Sequence, residues 1–544
     1  MRLPYMQVAP SRTQDMRVGF GGLNLREDAA EGEFSFTQNL SSERYPYVAP
    51  RRPRTKFYSI NGTNINGIFG GADFLLCAVD TGLYRINMSD TDPTATQIGT
   101  VENNKKQFVR MGAYVLVWPD KAIYNSETGE FEQIEHAYTA SGTVTLTQTN
   151  LAGEASDTAT YIKVAASGID DGLNDYDGVT LSGLTGSGAA FNGAQVVYAH
   201  GEDYIIIAGI LEETHSQAGG MTVSRSAPDM DYLTECGNRV WGCSSENHEI
   251  YACKLGDPRN WNVFLGLAND SYAATIGSDG DFTAAATIND TVIFFKEDTL
   301  HKVLGTKPAN YQITTTPARG VMDGCAGSVC VVDEALYYVS REGVMGYDGS
   351  IPISVGDKLA GMALRDAVAG AWQGRYYINA QVHDSPVQLV YDARQGLWYR
   401  EDDTRISSFA RAFDGALYAL IGSDIYCLTG SSAQEIVPWS MVTGRIGLET
   451  PGYKYVTNLI LHIDARDQAS ETKPPAISIQ YDGGAWEPCH VHSPRARGVV
   501  YLAIPVQRRA SYARLKIEGR GDFVLFGLSK ITEVGTELGR SWAR

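Results

Sequence analysis

Pairs of short apolar runs, each pair divided by a polar turn, recur seven times along the chain. The pair at residues 239–253 reads RVWGCSSENHEIYAC, with the polar SSENH turn between runs that contain Trp241 and Tyr251. Short runs rich in β-branched and aromatic residues, bounded by turn residues, are typical of β-hairpins. The other six pairs begin at residues 73, 113, 291, 335, 375 and 416. The pattern therefore predicts seven β-hairpins.

The spacing of these hairpins predicts a β-propeller. Successive copies begin 40 to 52 residues apart, except between residues 113 and 239, where the step is three times too long. A period of roughly 40–50 residues in strand-rich sequence is typical of propeller blades. A lone four-stranded sheet exposes two faces and two edges to water. Radial packing of several such sheets buries the faces and leaves only short edges exposed. A β-sandwich with coincidental spacing is the alternative interpretation.

Changes in this rhythm divide the chain into five regions of an all-β protein with roughly seven blades. They are an extended N-terminal arm at 1–66, propeller blades at 67–136, an inserted β-domain at 137–232, further blades at 233–440 and a C-terminal β-sandwich at 441–544. The inserted segment is rich in Thr and Gly and alternates between apolar and polar positions, which favours a β-barrel or sandwich. A further blade hairpin inside it would raise the blade count to eight. We also predict one short helix, at residues 354–370.

Composition and charge limit the classes of protein to which the chain can belong. Of its 544 residues, 43% are hydrophobic and 20% are charged, as in ordinary globular proteins. No apolar run is long enough for a membrane span, and the first residues have no apolar core of the signal-peptide type. The eight cysteines include no CxxC pair, so we expect free thiols in a reducing cytosol. A formal net charge of −18 argues against a surface that grips nucleic acid.

Motifs that would indicate catalysis are missing from the sequence. There is no GxSxG, HExxH, Walker A or dinucleotide fingerprint. Some propellers are glycosidases, which use paired carboxylates. The candidate acids here are Glu401, Asp402 and Asp403, which closely follow Trp398 and Tyr399. A charged turn is the favoured interpretation of these acids. We therefore predict no catalytic residues and a protein that is not an enzyme.

Two segments resemble metal sites only superficially. Residues 168–178 read GIDDGLNDYDG, but in an EF-hand register through Asp175 and Asp177 the first and last ligand positions are Leu173 and Leu184. His490 and His492 would share one face of a strand, but two further ligands are missing nearby in sequence. The sequence thus predicts neither a metal site nor a bound cofactor.

The N-terminal arm carries a cluster of positive charge on an acidic protein. Pro46, Pro50 and Pro53 favour an extended backbone because proline restricts its own conformation and that of the preceding residue. The cations are Arg44, Arg51, Arg52, Arg54 and Lys56. A solvated arm, a phosphate contact and a docking arm for an acidic neighbour are the open interpretations. We predict a docking arm. Reversal of its charges is therefore expected to leave the isolated fold intact.

Several segments resemble a family of tailed-phage virion proteins. The resemblance covers roughly residues 18–440 and is carried most clearly by NRVWGCSSENHEIYACKLGDPRNW at 238–261. Further matching segments are GGLN at 21–24, NLSS at 39–42, YP at 45–46, APR at 49–51, MD at 230–231, GSDGDFTAA at 277–285, FFKEDTLHKVLG at 294–305 and YYVSREGVMGYDGS at 337–350. The family comprises the DNA-stabilising, nozzle or tail-tube proteins of short-tailed phages and their prophage relatives.

This resemblance implies a structural protein of the virion tail, assembled in the bacterial host cytoplasm. It implies a homo-hexameric ring below the portal and adaptor proteins, which forms the DNA exit channel and helps to retain packaged DNA. DNA would pass without sequence-specific binding, and an acidic lumen would repel its phosphates. The inserted β-domain is expected to fold autonomously and to contact neighbouring protomers. The alternative function is a receptor- or glycan-binding propeller at the tail tip, which would carry a pocket of aromatic and acidic side chains.

Overall fold

The computed structural model describes residues 11–89, 92–156, 158–413, 415–430, 435–450, 452–464, 475–492 and 497–534. Within these ranges the chain is all-β, with fifty strands and four short 3-10 helices. The helices are Gly186–Phe191, Pro308–Asn310, Ala326–Ser328 and Asp357–Leu359. None of the described helices has the length and apolar character of a membrane span. The chain forms two compact units, the first comprising residues 1–61, 70–74 and 327–544 and the second residues 62–69 and 75–326.

The N-terminal segment contains five strands. They are β1 Ser11–Arg17, β2 Phe34–Gln38, β3 Leu40–Ser41, β4 Ala49–Pro50 and β5 Thr55–Ser59. Gly22, in the segment between β1 and β2, has a φ of 70° and lies close to the backbone of Trp398. A Cβ atom on Gly22 would lie 2.7 Å from the carbonyl oxygen of Trp398, so only glycine is accommodated there.

Four four-stranded sheets with their strands in chain order belong to the second unit, except that residues 70–74 are assigned to the first unit. The first two contain β6 Ile65–Gly70, β7 Phe74–Val79, β8 Gly82–Asn87 and β9 Ala95–Thr100, then β10 Gln107–Met111, β11 Tyr114–Trp118, β12 Ala122–Asn125 and β13 Phe131–Gln133. Each sheet keeps its strands in chain order. The two middle strands are the predicted hairpin, and β7 is buried along its whole length.

The inserted segment then forms two sheets of its own. Its strands are β14 His136–Thr139, β15 Val144–Thr149, β16 Tyr161–Ala165, β17 Gly178–Ser182, β18 Gly193–Val196, β19 Ala199–Gly201, β20 Tyr204–Ala208, β21 His215–Gln217 and β22 Thr222–Arg225. The sheet orders are β14-β22-β17-β18 and β19-β20-β16-β15-β21. Alternate residues such as Leu146, Ile162, Ile205 and Val223 build a separate apolar core. The prediction of alternating strands is confirmed, and autonomous folding stays a prediction.

The other two sheets of the second unit resume the meander. They contain β23 Tyr232–Glu235, β24 Val240–Ser244, β25 Glu249–Ala252 and β26 Tyr272–Thr275, then β27 Ala284–Ile288, β28 Thr291–Phe295, β29 Thr299–Leu304 and β30 Gln312–Pro317. The first strands of neighbouring sheets are in contact, β10 with β23 and β23 with β27.

Three more such sheets lie in the first unit. They contain β31 Cys330–Val332, β32 Ala335–Ser340, β33 Gly343–Tyr347 and β34 Ile353–Ser354, then β35 Arg365–Trp372, β36 Arg375–Val382, β37 Ser385–Asp392 and β38 Leu397–Arg400, and finally β39 Ser408–Arg411, β40 Leu417–Ile421 and β41 Asp424–Cys427. The N-terminal strand β5 supplies the fourth strand of the last sheet. All seven predicted hairpins are therefore confirmed, and their meander order is that of propeller blades. A closed ring of seven blades stays a prediction.

The predicted helix at residues 354–370 is wrong. That segment contains the end of β34, a single 3-10 turn at Asp357–Leu359 and the start of β35. Its alanines favour a helix locally, but pairing of β35 with the hairpin partner β36 overrides that preference.

The C-terminal region forms two sheets around one core, as expected for a sandwich. Its strands are β42 Pro438–Thr443, β43 Lys454–Asp464, β44 Ala476–Tyr481, β45 Glu487–Pro488, β46 His490–His492, β47 Arg497–Ala503, β48 Arg509–Ala510, β49 Ala513–Arg520 and β50 Val524–Val534. The sheet orders are β1-β50-β43-β47-β46, with β48 also on β43, and β2-β42-β49-β44-β45.

These pairings correct the prediction of an extended arm at residues 1–66. Strands β1 and β2 each complete one sheet of the sandwich, and β5 completes a four-stranded sheet. No local pattern indicates these pairings, because the partner strands lie some hundreds of residues further along the chain.

Candidate functional site

The first polar site joins the N-terminal segment to the turn after β38, and we call it the arm cluster. It consists of Arg51, Arg54, Glu401, Asp402 and Glu435. The Nη2 atom of Arg54 lies 2.9 Å from Glu401 Oε2, and its Nη1 atom lies 2.8 Å from Asp402 Oδ2. The side chains of Arg54 and Glu401 are only 8% and 6% exposed. Two features that the sequence analysis treated separately, the basic arm and the acidic turn, are therefore one structure.

Arg51 completes the arm cluster with a bidentate contact. Its Nη1 and Nη2 atoms donate to Glu435 at 3.1 and 2.9 Å, and its Nε atom donates to Asn39 Oδ1 at 2.8 Å. Burial alone would raise the pKa of Asp402, but the charge and hydrogen bonds of Arg54 outweigh it and hold that pKa below its ordinary value. Burial would also raise the pKa of Glu435, and its bonds to Arg51 and to the backbone of Arg54 lower it instead.

This geometry corrects the docking-arm prediction for its central members. Arg51 and Arg54 are buried against acids of their own chain, so they are not surface cations awaiting a partner. The other three cations also have internal partners: Arg44 with Asp522, Arg52 with Glu43 and Lys56 with Asp424. Docking through the half-exposed Arg44 and Lys56 stays a prediction. The acids at 401 and 402, which we interpreted as a charged turn, are 6% and 16% exposed and pair with Arg54.

A second polar site fixes the inserted segment within the second unit, and we call it the insertion cluster. Asp177, at the start of β17, lies 2.6 Å from the Nη1 atom of Arg225, at the end of β22. The Nδ2 atom of Asn260 donates to the other carboxylate oxygen of Asp177 at 2.7 Å, and its Oδ1 accepts from the Gly178 amide at 2.8 Å. The two charged side chains are 3% and 1% exposed. The closed ion pair therefore lies within the inserted segment, and Asn260 connects it to the chain that follows the insertion.

The acidic side chains of residues 168–178 make contacts within their own chain. Asp177 is the buried partner of Arg225, and Asp175 contacts the ring of His200 at 2.7 Å. Asp170 accepts from the amide of Asp203 at 2.9 Å. No group of three metal-binding side chains occurs among the residues that the structure describes.

A third site is a loop at residues 254–270, which we call the braced loop. Arg239 is almost fully buried, and its guanidinium donates to the carbonyl oxygens of Cys253 at 2.7 Å and Ala268 at 2.9 Å. The buried carboxylate of Asp270 accepts the amides of Leu265 at 2.5 Å and Leu267 at 3.0 Å. Both ends of the loop are thus fixed from within.

The braced loop displays apolar side chains to solvent. Leu255, Phe264, Leu265 and Leu267 are between 41% and 58% exposed. No sequence motif indicates this site, although Arg239 and Asn260 belong to the segment that carries the family resemblance. One feature of the sequence does indicate that Arg239 is buried. It lies at the start of an apolar strand and has no acidic residue beside it in sequence.

The first unit also contains an open cleft of about 550 Å³. Three arginines line it, Arg52, Arg394 and Arg411, together with Trp372 and Asp333. The Arg52 guanidinium lies 5.0 Å from the centre of a Trp372 ring, and Arg394 pairs with Asp333 at 3.0 Å. The cleft is therefore predominantly cationic on an acidic chain.

All eight cysteines are free. Burial raises the pKa of the Cys77 and Cys253 thiols to about 12, which leaves almost no reactive thiolate at neutral pH. These residues act as small apolar side chains of the core.

Comparisons with known proteins give no family. No family model matches the chain, and no curated protein matches it. Among solved structures it is similar to a streptogramin B lyase (8% identity, TM-score 0.32, 69% of this chain and 96% of that one) and to the WD40 β-propeller domain of Doa1 (10%, 0.34, 69% and 96%). It is also similar to AztD from Citrobacter koseri (12%, 0.32, 71% and 94%). Likeness at these TM-scores carries no argument about fold or function.

Proposed function

We propose that this chain is a structural component of a bacteriophage tail, a nozzle or tail-tube ring of identical copies below the portal and adaptor proteins. In this proposal the meander sheets are propeller blades, the ring forms the DNA exit channel, and the assembled tail helps to retain packaged DNA. The sequence resemblance supports the choice of a phage tail. The formal charge of −18 on each copy supports a channel that repels phosphates rather than binding them.

The observation that carries the proposal is the braced loop. Monomeric proteins seldom expose several large apolar side chains together unless that surface binds something. Here the backbone that carries Phe264, Leu265 and Leu267 is fixed by the buried Arg239 and Asp270. A fixed loop loses little conformational entropy on association, so its apolar area contributes more fully to binding. We assign it to the contact between neighbouring copies.

Replacement of the three apolar side chains tests this assignment. A Phe264→Ser, Leu265→Ser, Leu267→Ser variant should remain folded, because none of these side chains is buried. Its assembled fraction, measured by mass photometry over a concentration series, should fall sharply relative to the parent protein. Ile351→Ser with Ile353→Ser is the matched control, since both side chains are more than 60% exposed. Normal assembly of the triple variant would refute the assignment.

The arginine-lined cleft favours a second candidate function, binding of an anionic glycan at the tail tip. A receptor-binding propeller was expected to carry aromatic and acidic side chains, whereas this cleft combines Trp372 with Arg394 and Arg411. Arginines select phosphate or carboxylate groups through paired N–H donors. Calorimetry with a phosphate-bearing glycan should show binding that an Arg394→Glu, Arg411→Glu variant abolishes. Equal heats for both proteins would exclude this function.

A further inference from the structure

Strand β1 lies at the edge of one sandwich sheet and is attached mainly through its backbone. It pairs antiparallel with β50 over all seven residues, from Ser11 opposite Val534 to Arg17 opposite Leu528. The side chains of residues 12–18 are exposed, apart from the half-buried Asp15. The strand therefore buries little apolar surface, and ladder hydrogen bonds supply most of its attachment.

A hinge separates β1 from the rest of its chain. Gly19 has a φ of 101°, a conformation that favours glycine. Phe20 follows directly and is anchored: it is 4% exposed, its ring stacks on Phe34 with 5.5 Å between centroids, and its amide donates to the Pro46 carbonyl at 3.1 Å. Rotation at residues 18 and 19 would swing β1 away while Phe20 stays packed on Phe34.

The acceptor edge of β50 is complementary to β1 in charge. Arg12 lies opposite Glu533 in the ladder, with 3.2 Å between their charged atoms. Asp15 lies opposite Lys530, with 4.0 Å between their charged atoms, and Lys530 also pairs with Glu31 and Glu449. Gly527 keeps the edge open, because a Cβ atom there would lie 3.0 Å from the Arg17 carbonyl oxygen. The Arg12–Glu533 pair and the close approach at Gly527 thus make the edge of β50 complementary to β1, and any second copy of the chain offers the same strand.

We propose that β1 is exchanged between copies, so that β1 of one chain pairs with β50 of its neighbour in the assembled protein. Exchange replaces each ladder bond and ion pair by the same bond between chains, so no contact is lost. The proposal rests on the self-assembly proposed above, and it names the strand that links one copy to the next.

Cross-linking of the register pair Thr13 and Thr532 tests the exchange. Chains carrying Thr13→Cys and chains carrying Thr532→Cys are co-expressed, so a disulfide between positions 13 and 532 can form only between chains. Mild oxidation should give a covalent dimer on a non-reducing gel, with that linkage mapped by mass spectrometry. Each single variant alone is the matched control for the eight native thiols.

Mass photometry without oxidant separates this proposal from the self-assembly on which it rests. Assembled particles that lack the linkage, while a double variant in one chain cross-links internally, would overturn exchange and leave self-assembly standing. Monomers with the internal linkage alone would overturn both.

Deletion of residues 1–17 should weaken association by about a hundredfold or more, since a linked second contact is lost. Unchanged association of the truncated chain would also contradict exchange.

Discussion

The arm cluster and the insertion cluster both join segments that are distant in sequence, but they differ in how completely they close. In the arm cluster two guanidinium groups face three carboxylates, and Glu435 remains 32% exposed. In the insertion cluster one arginine faces one aspartate, both are at most 3% exposed, and Asn260 occupies the second carboxylate oxygen.

Solvent access determines how much stability each cluster loses when one of its side chains is removed. A partly open network can rehydrate or rearrange when a member is lost, as Arg51 lies within 4.0 Å of both Glu401 and Asp402. A closed pair has no such substitute, so loss of one partner leaves a buried charge unpaired. The same interaction type should therefore give different energetic penalties in the two units.

The largest expected effect is the loss of Asp177. An Asp177→Ala substitution leaves the Arg225 guanidinium buried without a carboxylate and should lower the free energy of local opening by about 3–5 kcal/mol. Native-state hydrogen exchange at β17 and β22 measures this quantity. Asp175→Ala is the control, because Asp175 is half exposed and pairs only with His200. Equal protection in the two variants would show that the closed pair does not stabilise the β17–β22 pairing.

The arm cluster should respond more weakly. An Arg54→Ala substitution removes charged hydrogen bonds to Glu401 and Asp402 and should lower the free energy of opening at β5 by about 2–3 kcal/mol. Hydrogen exchange at the β5–β41 pairing is the measurement, and Arg52→Ala, which removes a more exposed ion pair, is the control. A loss as large as that of Asp177→Ala would contradict the distinction between open and closed clusters.

Acid should loosen the arm cluster by a smaller amount. The folded-state pKa values of Asp402 and Glu435 lie below their ordinary values, so the unfolded chain binds protons more readily than the folded chain. Their stabilising effect is complete above the unfolded pKa values, near 4, and is lost as pH falls through the folded ones. Protection of β5 should decrease as pH is lowered in that range, after correction for intrinsic exchange. A Glu435→Gln variant should show a shallower dependence, and an identical slope would count against this account.

The smallest effect should come from the exposed pair of Lys56 with Asp424. The Lys56 side chain is 50% exposed, so a Lys56→Gln substitution should change stability by less than about 0.5 kcal/mol. Thermal unfolding followed by circular dichroism is sufficient to detect a larger change. A clearly lower midpoint would mean that this surface pair contributes more than its exposure allows.

The two clusters also mark the limit of what the sequence predicted. The seven hairpins follow from local apolar patterns, and each pairs residues close in sequence. The arm cluster joins Arg54 to acids some 350 residues away, and nothing near Arg54 in the chain indicates them. Locally the segment resembles a basic surface arm, so the charge reversal that we expected to spare the fold should instead destabilise it. Arg239 and Asn260 were noticed only as part of a family resemblance, because burial of a polar side chain leaves no periodic signal.

Single-particle electron microscopy of the purified full-length protein tests the central proposal most directly. We expect closed rings of identical copies, hexameric as in the resembling family, with the braced loop buried where neighbouring copies meet. A population of separate monomers at all concentrations, with Phe264 and Leu267 facing solvent, would contradict a structural ring protein.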